Sequence, residues 1–302
     1  MASPNIQTGQ RFLDPAVLAG IANLDLVART VVDGFIAGLH RSPDFGFSQE
    51  FAEYRAYTPG DDLRHVDWNV FARSGRVYLK RFRGETNTQV TILLDSSASM
   101  GYSSGSVTKL DYARFLAASL AYLGNRQRDA TGLIVFHDQV NDYVHPSTRQ
   151  GQLARMMHAI EKASPGHTTA FHAPFLQFQK SLSRRGIAIV ISDFYENPEA
   201  IIRSVEPLRF RGNDLVLFHV LDAREVSLEL SGAQLLRDME TGVTLEVSSE
   251  YARHDYRARM DDHIEALRKK ARAAGAEYFL LRTDRPLDTA LREYLNIRQR
   301  RL

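Results

Sequence analysis

The 302-residue chain contains no cysteine. That removes disulfides, thiolate metal sites and thiol catalysis, so any metal must be held by oxygen or imidazole. The chain also lacks a long hydrophobic run. Its longest apolar stretches, such as 215–221 (LVLFHVL), are strand-sized, far short of the roughly 18–20 residues that cross a membrane. Residues 1–15 (MASPNIQTGQRFLDP) have no apolar centre, so no secretory signal is read there and a cytoplasmic location is the expectation. Neither sign of charge prevails: 38 Lys and Arg stand against 36 Asp and Glu. That balance gives no general pull toward nucleic acid or a membrane. The G-x-x-x-x-G-K-[ST] pattern of P-loop ATPases is missing, as are internal repeats.

What is present is an alternation. Gln89–Leu94 (QVTILL), 132–136 (GLIVF), 187–192 (IAIVIS), 214–221 (DLVLFHVL) and 276–281 (AEYFLL) read as strands. They are apolar throughout, as burial on both faces of a parallel sheet requires. Helical periodicity falls between them, at 108–124, 149–163, 197–209, 250–274 and 286–298. Thr108 with Asp111 makes a box-like helix start, and Gly124 is expected to close that helix. Residues 140–145 suit a hairpin partner for 132–136. Strands alternating with helices predict an α/β fold, a mainly parallel sheet with helices on both faces. Residues 226–248, with Gly232 and Gly242 between alternating runs, predict an antiparallel strand pair inserted before the last strand.

The first 87 residues differ. Residues 15–40 read as one helix, with Asp14 as N-cap and Pro15 at its first position. Residues 41–87 are rich in aromatics, Arg, Gly and Asp without a sustained period, with a short strand expected at Val77–Phe82. The expected organisation is therefore an N-terminal helix and small β lobe at 1–87, followed by an α/β domain at 88–302.

Open α/β sheets place ligands at the carboxyl ends of their strands. There the chain carries Asp95-Ser96-Ser97-Ala98-Ser99 after one strand, Ser192-Asp193-Phe194 after another, and Gly166-His167-Thr168-Thr169 in an intervening loop. Hydroxyls and carboxylates are hard donors, suited to Mg²⁺, Mn²⁺ or Ca²⁺. A shell dominated by hydroxyls leaves the ion electrophilic and able to accept a carboxylate from a partner. Asp95-x-Ser97-x-Ser99, followed in order by Thr168 and Asp193, resembles the metal-ion-dependent adhesion site of von Willebrand factor A domains. The resemblance implies a Rossmann-like fold of that type. It also implies direct coordination by Ser97, Ser99 and Thr168, with Asp95 and Asp193 acting through water and hydrogen bonds. Thr168 and Thr169 remain alternatives at the third position.

Residues 54–85 contain Tyr54-Arg55, Tyr57, the turn Pro59-Gly60-Asp61-Asp62, Arg64, Asp67-Trp68, Arg73 and Lys80-Arg81-Phe82. These charges read either as an Arg–Asp network pinning a loop or as a partner surface using Arg64, Arg73 and Arg81. Coupled to the D-x-S-x-S motif, and with the later Arg237-Asp238-x-Glu240-Thr241-Gly242, the stretch resembles the domain of unknown function 58 family of MoxR-associated proteins. That resemblance implies a MoxR-type AAA+ ATPase as partner and an adaptor or co-chaperone role. No catalytic base accompanies the five residues, so no catalytic residue is expected, and the balanced charge and lack of a long apolar run argue against contact with nucleic acid or membrane. A metal-dependent phosphohydrolase or nuclease using Asp95 is the alternative. Phosphotransfer sites of that kind want D-x-D, and here the third position is Ser97.

Overall fold

Every residue of Gln89–Asp95 is buried, as are all of Gly186–Ser192 and nearly all of Asp214–Leu221. Such runs require neighbours on both faces, and the rest of the chain supplies them. The computed structural model describes residues 14–39, 51–58, 66–82, 88–166, 168, 170–179, 185–210, 212–228, 232, 234–240, 242–248, 250 and 252–300. The elements in chain order are α1 (Pro15–Leu18), α2 (Leu24–Leu39), β1 (Phe51–Ala56), α3 (Trp68–Ser74), β2 (Tyr78–Phe82), β3 (Gln89–Asp95), α4 (Lys109–Arg126), β4 (Ala130–Phe136), β5 (Val140–Ser147), α5 (Gln152–Lys162), α6 (His172–Gln179), β6 (Gly186–Ser192), α7 (Pro198–Phe210), β7 (Asp214–Leu221), α8 (Ala223–Val226), β8 (Gln234–Arg237), β9 (Thr244–Val247), α9 (Arg257–Ala273), β10 (Glu277–Arg282) and α10 (Asp288–Gln299).

The main sheet has the order β10-β7-β6-β3-β4-β5. All its neighbours are parallel except β4 and β5, which pair antiparallel at one edge. Side chains alternate across the sheet. Val90, Ile92 and Leu94 of β3 enter one core with α2, α4, α5 and α10. Leu93 enters the other, with α7 and α9. The mainly parallel sheet covered on both faces is thus as the sequence predicts.

Two local expectations are corrected. The helix expected over 15–40 is broken into α1 and α2, because Asn23 caps a fresh start: its Oδ1 accepts from the Leu26 amide at 3.0 Å. Asp14 does cap α1, accepting from the Ala16 amide. Helix α4 runs past Gly124 to Arg126 and is capped at Gln127. Gly124 is needed for closeness, since a Cβ there would stand 2.5 Å from Thr131 Cγ2. The Thr108–Asp111 capping box is present as expected. The short helix α3 was not anticipated. The inserted strands β8 and β9 pair with each other as a separate two-stranded sheet.

α2 does not stand apart from the α/β domain. Its Val27, Ala28, Val31, Val32 and Phe35 are buried in the same core as Leu116, Ala117 and Leu120 of α4. Truncating a residue such as Phe35 to alanine would cost roughly 3–5 kcal/mol in transfer and cavity terms.

Candidate metal centre

The end of β3 places Asp95 at the carboxyl edge of the sheet, fully buried. Both its oxygens are engaged. Oδ1 accepts from the Ser97 amide at 2.8 Å, and Oδ2 accepts from the Ser192 hydroxyl at 2.5 Å. Since Ser192 ends β6, the carboxylate ties two adjacent strands together. Ser96 does the same toward β4, its amide and hydroxyl both donating to the Phe136 carbonyl. Burial, and next the negative charge of Asp193, push the Asp95 carboxyl up to about 7. Bonds from Ser192 and Ser97 oppose that rise.

Ser97 and Ser99 straddle the start of a short 3₁₀ turn (Ala98–Gly101), with their hydroxyls 3.1 Å apart. Asp193 follows β6 and is also fully buried. The next residue, Phe194, has φ +50°, a backbone region that costs a non-glycine residue roughly 1–2 kcal/mol. Packing holds it there. The ring is buried and stacks on Phe171 at 5.5 Å, and the Phe194 carbonyl accepts from His263 Nε2 at 2.9 Å.

Lys109, absent from the sequence reading, completes the arrangement. Its ammonium is fully buried and bridges Asp193 Oδ2 at 2.8 Å and Glu225 Oε1 at 2.7 Å. It also lies 4.6 Å from the Tyr195 ring centroid, within cation–π range. Burial alone would lower the lysine's proton affinity, but the Asp193 and Glu225 carboxylates outweigh it and hold the ammonium charged. At Glu225 burial wins and raises the carboxyl despite the lysine. The other Asp193 oxygen, Oδ1, is buried and has no hydrogen-bond partner. Lys109 occupies the first turn of α4, where the helix dipole disfavours a cation. That misplaced charge was the available signal. Glu225 and His263 carried none, because only the folded chain brings them near.

The structure therefore gathers Asp95, Ser97, Ser99 and Asp193 at one edge. The loop bearing Thr168 runs alongside: the Gly166 amide donates to the Ser96 carbonyl at 3.1 Å, and Pro165 packs at the position of Gly101. Thr168 itself is exposed, and Thr169, its alternative, lies outside the described residues. The β8–β9 hairpin leans over the same rim, with Met239 Cε 3.6 Å from the Cβ position of Gly101. Among the described residues no three His, Asp or Glu side chains cluster as a metal site, so the donor set rests on hydroxyls plus Asp193. Of the three arginines read as a partner surface, Arg73 is exposed on α3. Arg64 and the Arg81 side chain lie outside the described residues.

Residues 53–266 match the family model described as "Protein of unknown function DUF58". An uncharacterized protein of Mycobacterium tuberculosis is 29% identical over 276 residues, covering 90% of this chain and 86% of its own. The BatB protein of Bacteroides thetaiotaomicron, a conserved hypothetical protein, is similar in structure with a TM-score of 0.48 and 16% identity, covering 69% of this chain and 97% of its own. The SpRpn10 VWA domain aligns with a TM-score of 0.41 and 14% identity, covering 68% and 94%. The sheet of this chain is mixed and mainly parallel with helices on both faces, the α/β architecture that the sequence predicts. Among the described residues no helix is long and apolar enough to cross a membrane.

Proposed function

The chain belongs to the DUF58 family, and we propose that it is a protein-binding module that takes a divalent cation at the carboxyl edge of its sheet and offers it to a partner's carboxylate. The observation that carries this reading is Asp193 Oδ1, a buried acceptor left without a partner, at the same carboxyl edge of the sheet as the paired hydroxyls of Ser97 and Ser99. A buried polar atom in that state costs about 1–3 kcal/mol, and a cation would relieve it. The donors fit a hard ion, Mg²⁺, Mn²⁺ or Ca²⁺. Ser97 and Ser99 would hold it, Thr168 or Thr169 would complete the shell, and Asp95 and Asp193 would supply charge. When bound, the ion provides an open electrophilic position. Lys109 neutralises part of the Asp193 charge, which favours an ion that still attracts an outside carboxylate.

Asp95 is better suited to organising the loop than to attacking a substrate, since it is fully buried with both oxygens hydrogen-bonded. We therefore read the chain as an adaptor and not as a phosphohydrolase or nuclease. The partner suggested by the family resemblance is a MoxR-type AAA+ ATPase, with Arg64, Arg73 and Arg81 as a second contact surface. Calorimetric titration with Mg²⁺ and Mn²⁺ tests the site. The Ser97→Ala/Ser99→Ala protein should lose binding; affinity equal to wild type would sink the assignment. Capture of the purified ATPase with and without chelator tests the partner, and capture that ignores the chelator would refute the metal's role in it.

A further inference from the structure

We propose that helix α3 docks the protein on an anionic lipid bilayer, through Trp68 and Phe71 flanked by Arg73 and Arg76. The helix lies in the connection between β1 and β2, which backbone bonds close: the Asp67 amide donates to the Tyr78 carbonyl at 2.9 Å and the Tyr57 amide to the Val77 carbonyl at 3.0 Å. Both ends of α3 are defined. Asp67 Oδ1 accepts from the Val70 amide at 3.2 Å at the start. At the finish Gly75, with φ +65°, donates its amide to the Phe71 carbonyl at 2.8 Å, the left-handed stop that glycine supplies. Val66 and Asp67, just ahead of the helix, are buried, but every residue from Phe71 to Arg76 is exposed. The helix has 7 residues, below the roughly 12–15 at which an isolated helix becomes even marginally stable in water. So this turn of chain is held in shape at its base while its outer face is left to solvent.

Two chemistries meet on that face. Trp68 is 58% exposed and Phe71 40%. They stand three residues apart, hence on one side of the helix, and their rings meet edge to face with centroids 6.1 Å apart. Around them the charge has one sign. From Trp68 to Gly84 the sequence carries Arg73, Arg76, Lys80, Arg81 and Arg83 and no Asp or Glu. Arg73 and Arg76 are exposed beside the aromatics, and guanidiniums stay charged at any physiological pH. Asp67, the acidic residue next to α3, is 5% exposed and caps the helix, so it does not offset them at the surface. The even charge of the whole chain is a sum that conceals this local excess. Aromatic rings on one side of a short helix with arginines around them suit the headgroup region of an anionic bilayer, which takes the rings at the acyl boundary and the cations at its phosphates.

Shape favours the bilayer over a nucleic acid. The run of exposed residues from Phe71 to Arg76 makes a projection, whereas single strands are held in basic grooves with bases stacked on open ring faces. Here one ring meets the other at right angles, with 89° between their planes, so the pair offers no flat platform. A bilayer accepts a convex projection and asks for no stacking geometry. It would share Arg73 with the protein contact proposed above, and a test containing lipid and no second protein separates the two.

The chain has a single tryptophan, so its emission reports on α3 alone. The whole chain is titrated with vesicles of phosphatidylcholine and phosphatidylglycerol, with pure phosphatidylcholine vesicles and single-stranded oligothymidine as comparisons. We expect the anionic vesicles to shift the emission to the blue and to protect Trp68 from acrylamide, with both effects fading as salt rises. Neutral vesicles should bind at least about tenfold more weakly. Arg73→Glu and Arg76→Glu should each weaken partition by about fivefold or more, since one cation near an anionic surface is worth about a factor of five. Phe71→Ala should weaken it too, and Trp68→Ala, followed by co-sedimentation, should lower the bound fraction. Chelator should change nothing, and circular dichroism checks that these surface variants stay folded. No binding to anionic vesicles, binding without a Trp68 shift, wild-type partition in the Arg73→Glu/Arg76→Glu protein, loss of binding on chelation, or a larger shift with oligothymidine would each overturn the proposal.

Discussion

Replacing Lys109 by methionine tests how the metal centre is held together. The lysine side chain and Asp193 have no exposed surface, and Glu225 is 13% exposed. Methionine has nearly the same length and fills the same volume, so the change removes charge with little cavity. It leaves two carboxylates buried side by side, in addition to Asp95, which already feels Asp193. Deleting one partner of a buried ion pair costs about 3–5 kcal/mol, because the remaining charge is desolvated and uncompensated. Relief of the unfavourable helix dipole returns only about 0.3–1 kcal/mol. Net of that relief, at roughly 2–4 °C per kcal/mol for a domain of this size, the melting temperature in chelator should fall by about 4–19 °C.

The assay is calorimetric or fluorescence-monitored melting of wild type and variant, each in chelator and in excess Mg²⁺. Two further outcomes follow from the same geometry. Glu225→Gln added to Lys109→Met should recover part of the loss, since one of the stranded carboxylates is then neutral. Excess Mg²⁺ should stabilise the variant more than wild type, since the ion then faces an Asp193 carboxylate that no ammonium shares. At an ion concentration a hundredfold above its dissociation constant, that stabilisation is about 2.7 kcal/mol. A fall of less than about 2 °C in chelator, equivalent to roughly 1 kcal/mol or less, would refute the view that Lys109 is the counter-charge on which the site depends. A fall of the expected size without differential Mg²⁺ rescue would refute the metal assignment while leaving the ion-pair reasoning intact.

Other parts of the fold make separate predictions. His219 is buried and its imidazole is pushed down to about 3, first by burial and next by His263. Its folded value is depressed, so the unfolded chain binds the extra proton and stability falls as pH drops below about 6.5. Between pH 6.5 and 5 this amounts to about 2 kcal/mol at 1.36 kcal/mol per unit. Asp95, raised to about 7, works in the opposite sense, so the measurement is the difference between the urea-denaturation profiles of wild type and His219→Phe; parallel profiles would contradict it. Arg298→Ala strands Asp129, whose buried carboxylate it grips at 2.7 and 3.0 Å. A loss of roughly 3–5 kcal/mol is expected, and a loss under about 1 kcal/mol in urea titration would count against it. In Gly186→Ala the new Cβ would stand 2.1 Å from the Gln89 carbonyl oxygen of the neighbouring strand β3, costing roughly 1–3 kcal/mol by overpacking. Gly105→Ala, with open space around it, should be nearly neutral, and equal effects of the two would refute the packing argument.

The parts of this molecule that could be read from sequence are those whose physics is local. Burial on both faces writes strands β3, β6 and β7 as unbroken apolar runs, so the sheet could be placed nearly to the residue. A hydroxyl pair two residues apart after a strand end is likewise a local fact, and Ser97 and Ser99 do meet. The helix break at Asn23 and the true end of α4 depended on a cap and on the approach of Thr131, which spacing within one helix does not record. Lys109 is the instructive omission. In the sequence it is one basic residue opening an amphipathic helix. Only the crossing of β6 and the α8 turn turns it into the counter-ion of Asp193 and Glu225.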